Sequence, residues 1–220
     1  MEIVILLAAC GLLIVLGVLE LVLHRMRLKR IPIRIHVNGT RGKTSVTRLI
    51  GAGLREAGVR CVVKTTGTVP RFVLPNGREV PVYRPGGANV IEQKQSVTMA
   101  AAQRAEALVV ECMALQPQLQ WLSESKLVRA THGVITNARP DHLDVMGPTE
   151  EDVARALAAT VPINGVFLTA EQHHRPFFEE VTAERGSRFR AAREISRPLT
   201  AEDVAAFPYL EHRDNIELAL

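Results

Sequence analysis

Aromatic residues are scarce: Phe, Trp and Tyr together make up 4% of the 220 residues. A platform that stacks nucleic-acid bases needs more of them, so no nucleic-acid partner is expected. Cysteine is almost as sparse, with only Cys10, Cys61 and Cys112, all far apart. Their spacing excludes a disulfide framework and a cysteine-based metal site, leaving reduced thiols in a cytosolic domain as the ordinary reading. Internal repeats and low-complexity segments are missing, and no lysine follows Lys126. Charge is nearly balanced at +4. Much of the positive excess sits in one cluster, His24-Arg25-Met26-Arg27-Leu28-Lys29-Arg30.

That cluster follows a long apolar run. Residues Ile3 to Leu23 are apolar apart from Glu20 and small glycines. At about 1.5 Å per helical residue, such a run matches a bilayer core of roughly 30 Å. Basic residues rather than a small-residue cleavage site come next, so a retained anchor is expected over residues 1–24. A basic linker is expected over 25–32. The positive-inside rule places the remainder in the cytoplasm, attached to the cell membrane by a single pass. Hydrophobic residues are 47% of the chain, enough for one domain with a core over residues 33–220.

The richest stretch is Ile33-Arg34-Ile35-His36-Val37-Asn38-Gly39-Thr40-Arg41-Gly42-Lys43-Thr44-Ser45. Apolar residues alternate at Ile33, Ile35 and Val37, as in a strand. A helix is predicted from about Lys43 to Ala57, with Val46, Leu49, Ile50 and Leu54 on one face and Gly58 as its cap. A glycine turn between strand and helix is the architecture of a phosphate cradle. Backbone N–H groups and the positive helix end meet the anion. Lys43 is placed to reach the β- and γ-phosphates of a nucleotide, and the Thr44 hydroxyl to hold Mg²⁺. The first glycine of the common P-loop pattern is absent, because Val37 occupies it.

Further strands are expected at Val59–Val63, Leu108–Glu111, Gly133–Asn137 and Gly165–Thr169, alternating with helices. This predicts an α/β fold, a P-loop-type, mostly parallel sheet flanked by helices. Phe72 to Tyr83 reads as a hairpin about an Asn76-Gly77 turn. The loop Thr65-Thr66-Gly67-Thr68 is either a phosphate or substrate contact or an ordinary turn. Arg84 to Asn89 reads as a loop, Ser96–Arg104 as a helix, and Trp121 as a packed residue. Glu111 ends an apolar strand, where an acid can bind Mg²⁺. Asn137-Ala138-Arg139-Pro140-Asp141-His142-Leu143-Asp144 gathers polar groups at another strand end. There His142 could ligate the metal and Asn137 could orient a ligand. Thr149 should cap a helix, and His173-His174 should mark a solvated helix start rather than a metal pair.

Gly39-Thr40-Arg41-Gly42-Lys43-Thr44-Ser45, Glu111 and Asn137-x-x-x-Asp141-His142-Leu143-Asp144 together resemble the Mur ligase superfamily of ATP-dependent amide ligases. The basic-flanked anchor, the wording through Gly147 and the ending His212-Arg213-Asp214-Asn215 resemble its poly-γ-glutamate-forming, capsule-building branch. The resemblance implies that residues 33–220 are a Mur-ligase-like central domain. ATP would phosphorylate the γ-carboxylate of glutamate or a growing poly-γ-glutamate chain, and a glutamate amine would attack the acyl phosphate. It implies catalytic roles for Lys43, Glu111 and His142. Thr44 and Glu111 would hold one Mg²⁺, with His142 near a second. Asn38 to Ser45 with Asn137 would bind nucleotide, and Asn215 would lie near adenine. It also implies other membrane subunits of a synthase complex as partners. Many superfamily members use a carbamylated lysine downstream of the Asp-His motif, which the absence of lysine after Lys126 excludes here. The family's closing C-terminal domain would begin where this chain stops, so ATP binding without efficient ligation is expected of these 220 residues alone. A different class of function, a membrane-tethered P-loop NTPase or regulatory module, would need the cradle but not the Asn137–Asp144 cluster.

Overall fold

The structure is a computed structural model that describes residues 1–67, 69–84, 86–195, 197–207 and 211–220. Eight strands form one sheet: β1 Ile33–Asn38, β2 Cys61–Lys64, β3 Arg71–Val73, β4 Glu79–Pro81, β5 Ala107–Glu111, β6 His132–Ile135, β7 Val166–Thr169 and β8 Arg188–Ala191. Their order is β4-β3-β2-β5-β1-β6-β7-β8. The six strands from β2 to β8 run parallel. Only the β3–β4 hairpin at one edge is antiparallel. It turns at Gly77, whose φ of 80° suits glycine.

Ten α-helices accompany the sheet among the described residues. They are α1 Glu2–Lys29, α2 Lys43–Glu56, α3 Glu92–Ala102, α4 Pro117–Leu122, α5 Leu143–Met146, α6 Glu150–Ala158, α7 Arg175–Glu184, α8 Ala192–Ile195, α9 Ala201–Ala205 and α10 Arg213–Ala219. A π-helical segment, Ser123–Val128, continues α4. Central strands are apolar on both faces because both faces are covered. On one side Ile35, Val37, Val63 and Val109 pack with Val46 and Ile50 of α2 and Leu218 of α10. On the other, Val62, Leu108 and Val110 meet Val97 and Ala100 of α3. Ile135 and Phe167 meet Leu157 of α6 and Phe178 of α7. The predicted cap of α6 is present as a reciprocal box between Thr149 and Asp152.

Three local expectations are corrected. The stretch expected as a linker is helical as far as Lys29, because Leu28 joins the core and His24 Nε2 meets the Leu127 carbonyl at 2.9 Å. Trp121 is 47% exposed rather than packed, with the Lys126 ammonium 5.3 Å from its ring centre. His174 is buried at the start of α7, its Nε2 3.6 Å from Glu150, while His173 stays exposed. The apolar helix α1 is long and apolar enough to cross a membrane.

His36, at the centre of β1, is fully buried. Its Nδ1 lies 2.8 Å from Glu124 Oε2 in the π-helical segment, and Glu124 Oε1 accepts the Ala130 amide at 2.7 Å. Burial opposes the imidazolium, but Cys112 and Glu124 outweigh it and raise the pKa to about 9. An unfolded histidine titrates near 6.5, so this pair stabilises the fold fully below about pH 6.5. The contribution is lost as pH rises through about 9. Denaturant unfolding of the detergent-solubilised chain should therefore show stability falling from pH 6.5 towards 9, by roughly 3 kcal/mol at most. His36→Gln should flatten that slope.

Candidate active site

The turn between β1 and α2 is shaped by two glycines. Gly39 has φ 131°, and a Cβ there would fall 2.0 Å from Thr136 Oγ1. Gly42 has φ 80°, and a Cβ there would meet Asn215 Oδ1 at 2.6 Å. Neither position admits a side chain, so the backbone itself lines the turn. The Lys43 ammonium folds back over it, donating to the Gly39 carbonyl at 2.6 Å and the Thr40 carbonyl at 3.3 Å. Burial lowers the Lys43 pKa from its ordinary value, with Glu111 pulling the other way. Ser45 sits in the first turn of α2. Asn38 differs from its neighbours: its side chain is buried and donates to Gln120 Oε1 at 2.7 Å and Thr160 Oγ1 at 3.1 Å. It anchors the strand end from beneath.

The end of β6 grips the turn from the side. Asn137 Oδ1 accepts from Thr40 Oγ1 at 2.6 Å and from the Arg41 amide at 3.1 Å. Its Nδ2 donates to the Arg41 carbonyl at 3.0 Å, which Thr136 Oγ1 also reaches at 2.6 Å. Further along, Asp141 lies 3.5 Å from the Arg41 guanidinium. His142 adopts φ 47° and ψ 45°, a left-handed conformation uncommon for a residue with a side chain, and its ring is 49% exposed. Asp144 is exposed.

Glu111, at the end of β5, is 3% exposed. The Thr44 hydroxyl donates to its two carboxylate oxygens at 3.0 and 3.1 Å. The Thr66 amide donates to Oε2 at 2.7 Å, and Gln93 Nε2 holds the Glu111 carbonyl at 3.2 Å. Lys43, Thr66, Glu111 and Arg84 line one cavity of about 270 Å³, closed by Met113, Leu115 and Met146. The expected metal trio is therefore only partly assembled. Thr44 and Glu111 touch, whereas His142 lies outside the cavity lining. Among the described residues no three histidine, cysteine or acidic groups form a metal cluster. Asn215, 5% exposed, leans against Gly42 and donates to Glu211 at 2.7 Å.

Some contributors carry little sequence signal. Thr66 acts through its amide, which any residue supplies. Thr68, in the loop read as a substrate or phosphate contact or an ordinary turn, and Pro85, in the loop from Arg84 to Asn89, lie outside the described residues. Lys64 and Glu92 form a buried pair at 3.1 Å, and Arg84 reaches the same carboxylate. The charge of Lys64 at the end of an apolar strand is the one signal that could have drawn attention to it.

The site combines exposed backbone amides at a helix N-terminus, a flexible ammonium, and a hydroxyl–carboxylate pair of hard oxygen donors. That set suits a phosphate chain with a divalent cation. Comparison with known proteins agrees. The Mur ligase middle domain matches residues 37–194. The chain is 43% identical over 210 residues to "Capsule biosynthesis protein CapB" of Bacillus anthracis, covering 94% of this chain and 45% of that protein. It is 38% identical over 217 residues to "PGA synthase CapB" of Bacillus subtilis (strain 168), covering 98% and 55%. The chain thus spans about half the length of these relatives. Among solved structures, it is similar to a bifunctional folylpolyglutamate synthase/dihydrofolate synthase of Yersinia pestis complexed with AMPPNP and Mn ion. That likeness has a TM-score of 0.66 at 18% identity and covers 91% of this chain and 55% of that one. E. coli FolC in complex with DHPP and ADP gives a TM-score of 0.56 at 19% identity, covering 78% and 46%. These structural likenesses concern the fold, and the mostly parallel sheet described above is theirs too. With its middle-domain match across most of the chain and its two CapB relatives, the chain belongs to the Mur ligase family.

Proposed function

We propose that this chain is the ATP-binding part of an amide ligase of poly-γ-glutamate synthesis, attached to the membrane by α1. The observation that carries the reading is the Thr44–Glu111 pair beside the Lys43-covered turn. A hydroxyl and a carboxylate in contact offer the hard oxygen ligands that Mg²⁺ takes, and they leave room for its waters and phosphate oxygens. The turn fits as well, since Gly39 and Gly42 have positive φ and lie tight against Thr136, Asn137 and Asn215, which side chains at these positions would disrupt. Bound there, Mg²⁺ would offset charge on the β- and γ-phosphates. The names of the two CapB relatives, and the AMPPNP and Mn ion of the Yersinia pestis enzyme, support the same reading.

In this reading the chain's own residues do five things. Within Asn38–Ser45, the Thr40 and Arg41 amides are held by Asn137, and the backbone N–H groups at the start of α2 are offered to the phosphates. Lys43 gives up its bonds to the Gly39 and Thr40 carbonyls and follows the γ-phosphate as it moves to a glutamate γ-carboxylate. Glu111, clamped by Thr44 and Thr66, keeps its carboxylate aimed at the cation. Asn215 shapes the wall beside Gly42, towards the nucleoside. The strained, exposed His142 is placed to serve a second cation at the open side, since residues held in unusual backbone conformations concentrate at functional sites. The glutamate amine then attacks the acyl phosphate, giving amide and phosphate. α1 would cross the cell membrane once with its basic end inside, holding this domain in the cytoplasm beside other membrane subunits of the synthase.

Titration calorimetry with ATP and Mg²⁺ should show Lys43→Ala weakening binding by about 100-fold, the loss of charge-assisted bonds to phosphate. Glu111→Gln should retain nucleotide binding but lose most of its dependence on Mg²⁺. Unchanged Mg²⁺ dependence would remove Glu111 from the metal site. In membranes bearing the assembled synthase, ADP release should require glutamate. Glutamate-independent release would favour a plain NTPase.

A further inference from the structure

A second concavity, of about 1190 Å³, lies away from the nucleotide turn. It opens at the opposite edge of the sheet, where strands begin. Arg34 stands near the start of β1, Arg129 to Thr131 lead into β6, and Asn164 precedes β7. Five cations line it: Arg25, Lys29, Arg34, Arg129 and Arg185. Its one carboxylate, Glu124, is already committed to His36 and the Ala130 amide. Arg34 bonds the main-chain carbonyls of Ile31 at 2.6 Å and Arg129 at 2.9 Å. Arg185 bonds the Ala159 carbonyl at 3.2 Å. These two guanidinium groups are thus held in place by hydrogen bonds to neutral partners, with Glu124 acting on both only through space. Burial lowers the Arg34 pKa, Glu124 opposes that only in part, and Arg129 adds to the lowering. Arg25, Lys29 and Arg129 have no side-chain hydrogen bond or ion pair among the described residues.

The same groove has an apolar side. Trp121 is 47% exposed, Ile163 63%, Met26 47% and Val22 46%. Val22, Arg25, Met26 and Lys29 recur at the spacing of one helix face, so the last turns of α1 form a wall of mixed character. Those turns are fixed to the domain. His24 meets Leu127, Arg27 donates to Thr98 at 3.2 Å, Lys94 pairs with Glu20, and Leu28 is core.

Depth decides the occupant. α1 has 28 residues. About 20 of them suffice for the hydrocarbon core. The turns from Val22 to Lys29 therefore emerge at headgroup level, which is where the groove begins. Anionic headgroups attract basic segments there, and tryptophan favours the same layer.

We propose that this groove seats the headgroup of an anionic phospholipid of the cytoplasmic leaflet. Its phosphodiester would lie among Arg25, Lys29 and Arg129, with Trp121 and Ile163 against the glycerol and upper acyl chain. The inference rests on α1 spanning the membrane. It is independent of the ligase chemistry.

Trp121 is the one tryptophan of the chain, so its fluorescence reads the groove alone. The whole chain is first floated with phosphatidylcholine vesicles. Failure to float overturns the anchor reading and this proposal with it. The chain is then placed in phosphatidylcholine nanodiscs containing either brominated phosphatidylglycerol or the same fraction of brominated phosphatidylcholine. Phosphatidylglycerol should quench Trp121 at least twofold more, and the excess should fade in high salt. Arg25→Gln with Lys29→Gln should bring the quenching by phosphatidylglycerol down to that by phosphatidylcholine, while nucleotide binding stays normal. Equal quenching by both lipids, or a preference untouched by the double variant, overturns the proposal. So does an equal effect on Trp121 from inorganic phosphate or soluble polyglutamate in discs without anionic lipid.

Discussion

The end of β6 holds the end of β1, and the shape of the glycine turn depends on that grip. Asn137 uses its carbonyl oxygen for Thr40 and Arg41 and its amide nitrogen for the Arg41 carbonyl. Thr136 closes on the same carbonyl. The turn therefore has few internal bonds and takes its shape from a neighbouring strand. This fixes where its free N–H groups point before any anion arrives, which is how a preorganised site avoids reorganisation during reaction. The missing first glycine of the common pattern makes sense here. Val37 is a buried core residue of β1, and the shorter turn is closed by side chains of β6 rather than by its own length.

Charge is arranged differently on the two edges of the sheet. At the strand C-terminal ends, nearly every charge is answered. Glu111 has Thr44 and Thr66, and Lys64 and Arg84 share Glu92. Burial lowers the Lys64 pKa, with Glu92 opposing that, and Glu92 itself is held below its usual range although its own burial works the other way. Such a buried cluster adds little net stability compared with apolar packing, but it defines one arrangement of β2, α3 and the cavity wall. At the opposite edge, beside α1, cations outnumber acids. The sheet thus separates an edge whose charges are mostly paired from an edge beside α1 where cations are in excess.

Much of this was legible in the residues. Alternating or continuous apolar runs located β1, β5, β6 and β7, and the cap at Thr149 and the turn at Gly77 have local chemistry that sequence records directly. The cradle and Glu111 were legible for the same reason, since both follow strands at the sheet edge where ligands bind. The rest depends on long-range neighbours. Asn38 carries the same side chain type as Asn137, yet Gln120 and Thr160 draw it into the core. Trp121 would pack in most chains, but here the short α4 turns it outward. His174 is buried because α6 brings Glu150 towards it. The continuation of α1 through Lys29 comes from docking on α3 and the π-helical segment, not from intrinsic propensity.

The contact between Gly42 and Asn215 has a consequence for how the protein is made. The turn is encoded within the first fifth of the chain, but α10, which packs on α2 and presses Asn215 against Gly42, is synthesised about 170 residues later. Asn137, which grips the other side, also comes late. A nascent chain still on the ribosome, with its apolar helix already free to enter a bilayer, therefore carries an unfinished turn. The turn therefore reaches its described shape only after β6 and α10 have docked.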